Sequence, residues 1–159
     1  MADKFTHITA AGNPAMVDVG EKPATRRTAR ARSIVMLNEA VLQLLEQDEI
    51  QTQKGPVFQT AIIAGVMAAK KTGELIPLCH PIGLDNCQID IHINEAREVV
   101  IDCIASVTAK TGIEMEAMVG ASLAALTVYD MCKAFSHDIV IRETKLMEKT
   151  GGKRDFRRT

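Results

Sequence analysis

The clearest signal in this sequence is a run in which apolar and polar residues alternate with the period of a β-strand. From 87 to 94, Cys or Ile occupies every odd position, while Gln, Asp, His and Asn occupy the even ones. A period of two places the apolar side chains on one face of a half-buried strand. Residues 94–97 can turn the chain into a second strand at 99–107, so a β-hairpin is the simplest interpretation.

A further strand is predicted at Thr25–Met36, where the same period separates two sets of side chains. Arg27 shares its phase with small, core-like residues, and the opposite phase carries Arg26, Arg30 and Arg32. We interpret that second set as the charged, solvated face of an edge strand. Arg27 is a candidate phosphate ligand, because a guanidinium binds phosphate oxygens through two parallel hydrogen bonds. Weaker strand signals lie at 16–19 and 139–146.

Two helices are predicted in the first half of the chain. Residues 38–49 form an amphipathic pattern with Asn38 as the N-cap. Pro56 suits the first position of a second helix that runs to Lys71, and Gly73 follows where a C-cap glycine is expected. The middle of this second helix is apolar on every side, which predicts a place in the core or at an interface.

Two lysines near the ends of the second helix lie in opposite electrostatic surroundings. Lys54 precedes the positive N-terminal end, where an ammonium is electrostatically unfavourable and a phosphate is favourable. An amine in that position suits proton transfer near neutral pH, and the alternative is a solvated loop lysine. Lys70 lies at the negative end, where its charge complements the helix dipole.

The longest predicted helix opens at 111–118 and runs to the segment 129–135. Its opening, Thr-Gly-Ile-Glu, has the capping-box pattern, which gives Glu114 a structural explanation that Glu116 lacks. Asp130 and Lys133 stand three residues apart on one face. Such a pair is either a surface ion pair or a couple in which the carboxylate tunes an acid–base amine.

These elements indicate an α+β fold with an antiparallel sheet and helices packed on one face. A chain of 159 residues is the size of one domain, so we assign 1–159 to a single domain. Residues 1–14 carry no periodicity and are expected to form an extended arm. The basic tail at 149–159 is expected to be mobile in part.

Composition excludes several classes of function. A net charge of −1 and only 3% aromatic residues provide neither the electrostatic footprint nor the stacking surfaces of a nucleic-acid-binding protein. The longest apolar run, 61–69, is about half a membrane span, so we expect no membrane partner and a cytoplasmic location.

The four cysteines show no zinc-ligand spacing, and Cys87 and Cys103 fall in the apolar phase of strands, as reduced core thiols do. We therefore expect no metal site and no cofactor.

The segment 77–81 places Cys79 and His80 side by side between two prolines. Proline restricts both its own backbone and that of the preceding residue, so a stiff, non-helical connection is predicted. A purely structural role, with a buried Cys beside a hydrogen-bonded His, would explain this pair as well as a functional role does. A thiol enzyme that uses both groups is disfavoured, because adjacent side chains of an extended chain point to opposite sides.

Several motifs together resemble one known family. LIPLCHP at 75–81, KTGIEMEA at 110–117 and YDMCKA at 129–134 resemble the cyclic pyranopterin monophosphate synthases of molybdenum cofactor biosynthesis, and MVDV at 16–19 and KGPVF at 54–58 agree. The similarity runs from position 6 to about 156. It implies a ferredoxin-like fold and a small-molecule substrate, a cyclised dihydro-GTP that becomes cyclic pyranopterin monophosphate with release of pyrophosphate. It also implies a hexamer built as a trimer of dimers, with active sites at the dimer interface.

The resemblance also assigns roles residue by residue. It implies that Asp130 is the active-site carboxylate and that Lys54 and Lys133 are the acid–base lysines. It implies substrate contacts from Leu78, Cys79, His80, Glu114, Met115 and Glu116, with Arg27 and Lys70 holding phosphates. A non-catalytic nucleotide-binding module that uses the same basic groups is the alternative.

One distance predicts how such a site would be assembled. Glu116 and Lys133 are 17 residues apart, which on a continuous helix is roughly 26 Å at about 1.5 Å per residue. Either the helix is broken, for which Gly120 is the obvious place, or its two ends serve sites shared between chains. We favour the shared site, and we expect Lys54 and Lys133 of one site to come from different chains.

Overall fold

A computed structural model describes residues 7–159. In chain order its elements are β1 (Thr25–Met36), α1 (Glu39–Leu42), β2 (Leu45–Glu46), β3 (Glu49–Thr52), β4 (Gly55–Pro56), α2 (Val57–Lys70), α3 (Thr72–Leu75), β5 (Asn86–Ile93), β6 (Val99–Ala109), α4 (Glu114–Cys132), β7 (Val140–Thr150) and β8 (Phe156–Arg157). The main sheet has five strands in the order β5-β6-β1-β7-β8, and all its neighbours are antiparallel.

The long elements follow one another as strand, helix, strand, strand, helix, strand, namely β1, α2, β5, β6, α4 and β7. The last strand of that series pairs with the first, which is the ferredoxin-like arrangement. Helix α4 packs on β1, β6 and β7, and α2 packs on α4 and β5. The predicted α+β class, the antiparallel sheet and the predicted β5–β6 hairpin are therefore confirmed.

Strand β1 carries the predicted alternation, but it lies in the middle of the sheet. Its odd phase, including Ala29 and Ala31, is buried among the core residues. On the even phase Arg32 donates two hydrogen bonds, of 3.0 and 2.7 Å, to the carboxylate of Asp102 on β6. The edge-strand interpretation is wrong, because β1 is hydrogen-bonded to β6 on one side and to β7 on the other and has no open edge.

Helices α2 and α4 cross at two glycines. A Cβ on Gly65 would lie 2.7 Å from the backbone oxygen of Gly120, and a Cβ on Gly120 would lie 2.6 Å from the sulfur of Cys103. These distances leave no room for a side chain, so the helix backbones touch. Gly120 is therefore a packing residue in a continuous helix, and the predicted possibility of a break there is wrong.

The predicted helix at 38–49 is much shorter than expected. Asn38 is the N-cap, as predicted, and its side chain accepts a hydrogen bond from the backbone N–H of Val41. The helix ends at Leu42, and the rest of the predicted segment forms β2 and a tight turn into β3, in which Gln47 and Asp48 have positive φ values of 50° and 63°. Residues in that conformation join two strands and cannot continue a helix.

The segments that flank the long elements have little regular structure within the described range. The described part of the predicted arm includes an isolated bridge between Ile8 and Pro14, and residues 1–6 lie outside the described range. The segment 16–19 is not a strand. In the tail, β8 pairs with the end of β7. Within residues 7–159, no helix is both long and apolar enough to cross a membrane.

Candidate active site

The Cys79–His80 pair lies on a non-helical connection between α3 and β5, as predicted. This connection folds back on Gly73, where a Cβ would lie 3.0 Å from the Cα of Pro81. Gly73 is therefore a close-approach residue inside α3, and its predicted role as a C-cap is wrong. The Nε2 atom of His80 lies 2.7 Å from the backbone oxygen of Val17. Because a carbonyl can only accept, Nε2 carries the hydrogen and Nδ1 is left as the acceptor of the neutral ring.

The start of α4 differs from the predicted capping box. Ile113 is the N-cap residue and provides no side-chain cap. The carboxylate of Glu114 instead accepts a hydrogen bond of 2.7 Å from the ammonium of Lys149 on β7. The carboxylate lies so close to Gly112 that a Cβ there would require the Glu114 side chain to move. The predicted structural role of Glu114 is thus replaced by an ion pair.

These elements enclose a cavity of about 510 Å³. It brings together most of the predicted substrate-contacting residues: Arg27, Leu78, Cys79, His80, Glu114, Met115 and Glu116. Four further cations line it that sequence reasoning missed: Lys22, Lys110, Lys149 and Lys153. We call this cavity the α4 pocket. Its wall mixes cationic and carboxylate groups with the apolar side chains of the connection.

Burial and neighbouring charges set the protonation states in the α4 pocket. Burial raises the pKa of Glu116, which is 3% exposed, and the charge of Glu114 raises it further. Burial alone would raise the pKa of Glu114, but the hydrogen bond from Lys149 lowers it overall. Burial, with the charge of Glu116, also raises the pKa of the Cys79 thiol. A thiol in this state is a poor nucleophile, which argues against a thiol enzyme.

A second cluster lies at the other end of α4. Asp130 accepts a hydrogen bond of 2.8 Å from the ammonium of Lys133, and its other oxygen lies 3.3 Å from the ammonium of Lys54. We call these three residues the Lys–Asp–Lys triad. All three side chains are about half exposed. The predicted pairing of Asp130 with Lys133 is present, and Lys54 shares the same carboxylate. Because both lysines contact one Asp130 in one chain, our expectation that they come from different chains is wrong.

The structure explains why Lys54 reaches this carboxylate. It lies in the tight turn between β3 and β4, where its backbone N–H donates to the hydroxyl of Thr52. The predicted phosphate site at the start of α2 is wrong, because Glu49 occupies it. The two oxygens of that carboxylate accept hydrogen bonds of 2.8 and 3.1 Å from the backbone of Phe58 and Gln59.

Within the triad, the hydrogen bond from Lys133 is the largest influence that lowers the pKa of Asp130, and Lys54 adds to it. The same hydrogen bond raises the pKa of Lys133. Asp130 therefore favours the ammonium form of Lys133.

The α4 pocket and the triad do not meet within one chain. Helix α4 is continuous between them, so the estimate of roughly 26 Å stands. Lys70, at the end of α2, lines neither cluster. Among residues 7–159, no three His, Cys, Asp or Glu side chains come together in a way that could hold a metal ion.

Comparison with known proteins identifies the family of this chain. The model described as the MoaC family matches residues 16–152. This range includes the whole triad and every residue that lines the α4 pocket except His7 and Lys153. The chain belongs to the MoaC family.

Other MoaC relatives agree over most of this chain. It is 49% identical over 153 residues to the cyclic pyranopterin monophosphate synthase of Xanthomonas campestris pv. campestris strain B100, covering 96% of this chain and 93% of that protein. It is also 49% identical to the molybdenum cofactor biosynthesis protein 1 of Dictyostelium discoideum and to the molybdenum cofactor biosynthesis bifunctional protein of Synechocystis. The matches cover 95% and 98% of this chain, but only 27% and 46% of those longer proteins.

Proposed function

We propose that the chain is a cyclic pyranopterin monophosphate synthase, a lyase of molybdenum cofactor biosynthesis. It would convert cyclised dihydro-GTP into cyclic pyranopterin monophosphate and pyrophosphate. Its membership of the MoaC family and its 49% identity to a cyclic pyranopterin monophosphate synthase support this activity. The observation that carries it is the α4 pocket, a cavity of about 510 Å³ in which five cationic side chains accompany the buried Glu116 and the half-buried Glu114.

The cations of the α4 pocket suit the phosphate end of such a substrate. Arg27 is held by a hydrogen bond of 3.1 Å from its Nε to the backbone oxygen of Ala109, which leaves its terminal nitrogens for phosphate oxygens. Lys22 and Lys153 line the same wall and add positive charge. Formation of the cyclic phosphate joins a ribose hydroxyl to the α-phosphorus and breaks the bond to pyrophosphate. Cations stabilise the negative charge that develops on the leaving group.

The carboxylates suit the base end of the substrate. Burial raises the pKa of Glu116, and the hydrogen bond from Lys149 lowers the pKa of Glu114. The oxygens of both side chains are hydrogen-bond acceptors in the α4 pocket. A guanine-derived ring presents N–H donors along one edge, from which these oxygens can accept hydrogen bonds.

The Lys–Asp–Lys triad suits the proton transfers that open and rebuild the ring. In this proposal Lys133 gives a proton, Asp130 keeps it charged and oriented, and Lys54 exchanges the second proton. Because the triad is far from the α4 pocket of its own chain, we propose that it completes the α4 pocket of a second chain. This arrangement requires at least a dimer, and the family resemblance extends it to a hexamer of three dimers. We also propose a cytoplasmic location, where the four free thiols would stay reduced.

The direct test is to incubate the protein with the cyclised dihydro-GTP made by a preceding radical enzyme and to measure pyrophosphate. We expect release by the unchanged chain and by Lys71→Ala, a matched exposed lysine outside both clusters. Lys133→Ala and Lys133→Arg should both lose at least about a hundredfold in rate, since a guanidinium cannot give up its proton. Substrate binding without any pyrophosphate from the unchanged chain would instead identify a nucleotide-binding module.

A further inference from the structure

One wall of the α4 pocket is made by a segment with almost no secondary structure. Residues 7–22, which we call the N-terminal strap, begin with a small loop in which the backbone N–H of Ala15 donates to the oxygen of His7. The strap contributes His7, Val17, Val19 and Lys22 to the lining of the pocket.

The far end of the strap is a tight turn. The backbone N–H of Lys22 donates to the oxygen of Val19 at 3.1 Å, and Asp18 accepts from the N–H of Gly20 at 2.8 Å. These bonds are local to the strap and give the turn its shape. They do not attach it to the rest of the molecule.

Two side-chain contacts supply that attachment. His80 donates to the oxygen of Val17, and the ammonium of Lys110 donates to the oxygen of Gly20 at 2.6 Å. Lys110 directly follows β6, at the end of a central strand of the sheet. It therefore connects a rigid element to the turn that carries Lys22.

We propose that Lys110 is a positioning residue that holds this turn so that Lys22 faces the phosphates of the substrate. The proposal deepens the function given above and rests on it. Only one of the three N–H donors of the ammonium is needed for Gly20. In this role Lys110 acts through Lys22 and does not itself contact phosphate.

This role has a characteristic kinetic consequence. The strap contacts the phosphate end of the α4 pocket, while the acid–base triad is elsewhere. Loss of Lys110 should therefore weaken binding of the phosphates, which raises KM, and should leave the protonation of the distant triad unchanged. Releasing one hydrogen bond should raise KM roughly two- to tenfold.

The experiment measures inorganic pyrophosphate binding by calorimetry and hydrogen exchange at the strap amides 17–22. Lys110→Met should raise the Kd for pyrophosphate roughly two- to tenfold and increase exchange in the strap. Lys110→Arg, which keeps a donor, should restore both. Lys71→Met is the matched control and should change neither. An unchanged Tm in Lys110→Met would exclude general unfolding as the cause, and a lowered Tm with no rescue by Lys110→Arg would overturn the proposal.

A double-mutant cycle with Lys22→Ala separates positioning from direct contact. If Lys110 acts through Lys22, Lys110→Met should have little further effect in the Lys22→Ala background. Effects that multiply would overturn the proposal, and so would failure of the unchanged chain to bind pyrophosphate. Because pyrophosphate binding needs no turnover, normal turnover with an unchanged Kd refutes this inference alone. If Lys110→Met weakens pyrophosphate binding but the unchanged chain shows no turnover, the proposed function is refuted and this inference is not.

Discussion

The two ends of α4 carry charged groups of the same kinds in opposite surroundings. At the N-terminal end Glu116 is 3% exposed and lies in a cavity walled by the strap and the Cys79–His80 connection. At the C-terminal end the side chain of Asp130 is 55% exposed. Water competes with hydrogen bonds and screens charges, so acid–base groups work best where water is excluded. The α4 pocket is thus a cavity within one chain, whereas the triad is open to solvent, and we propose that a second chain covers it.

The largest expected effect is recovery of activity when two inactive variants are mixed. Arg27→Ala damages the α4 pocket and Lys133→Ala damages the triad. If each site combines a pocket and a triad from different chains, a mixed dimer contains one intact site. Random exchange would then restore about a quarter of the normal activity. The measurement is pyrophosphate release after co-refolding, with differential tags to confirm subunit exchange.

The matched control combines Lys54→Ala with Lys133→Ala. Both lesions lie in the triad, so every site of a mixed dimer carries one of them and activity should not return. Recovery in this control, or none in the first mixture despite confirmed exchange, would contradict the shared site.

A smaller effect is expected at the helix crossing. Gly65→Ala places a Cβ 2.7 Å from the backbone oxygen of Gly120, so α2 and α4 must move apart. Overpacking of this kind costs about 1–3 kcal/mol, and the better helix propensity of Ala offsets at most about 1 kcal/mol. The variant should lower the free energy of unfolding in urea, whereas Gly83→Ala, with open space around it, should not.

This variant also tests the independence of the two ends. The turn that carries Lys54 leads into α2, while no residue of α2 lines the α4 pocket. Turnover should therefore fall more than pyrophosphate binding does. Equal losses of both would show that the two ends are not independent.

The smallest expected effect is a change in how stability depends on pH. Because the pKa of Glu116 is raised above its ordinary value of 4.5, its contribution to stability is fully present below that pH and declines as pH rises through the folded value. Glu116→Gln should remove this decline. The Tm of the variant relative to the unchanged chain should therefore be higher at pH 7 than at pH 4.

Asp130→Asn is the comparison, because the pKa of Asp130 is lowered. Its contribution is present above the ordinary value and is lost as pH falls, so the relative Tm of this variant should change in the opposite direction. The change should be slight and sensitive to salt, since the group is exposed. A relative Tm that changes in the same direction for both variants would contradict the contrast drawn above.

Local patterns in the sequence predicted the elements well where one period dominates. The alternation in Thr25–Met36 placed Arg27 on the buried side, and the structure brings it to the α4 pocket. Lys149 could not be found in this way. It reaches Glu114 only because β7 pairs with β1, with Lys149 opposite Ala29, and that register is a property of the assembled sheet. The turn at residues 47 and 48 was not predicted for a different reason. Neither residue is a glycine, yet both adopt positive φ.

The unbroken helix α4 also limits how the length of this chain can vary. Each residue of a helix adds about 1.5 Å and turns the following side chains by about 100°. A single insertion between Glu116 and Asp130 would therefore turn Asp130 and Lys133 away from Lys54 while leaving the α4 pocket untouched. We expect insertions and deletions to be tolerated in the turn at 94–97 and to be excluded from the nineteen residues of α4.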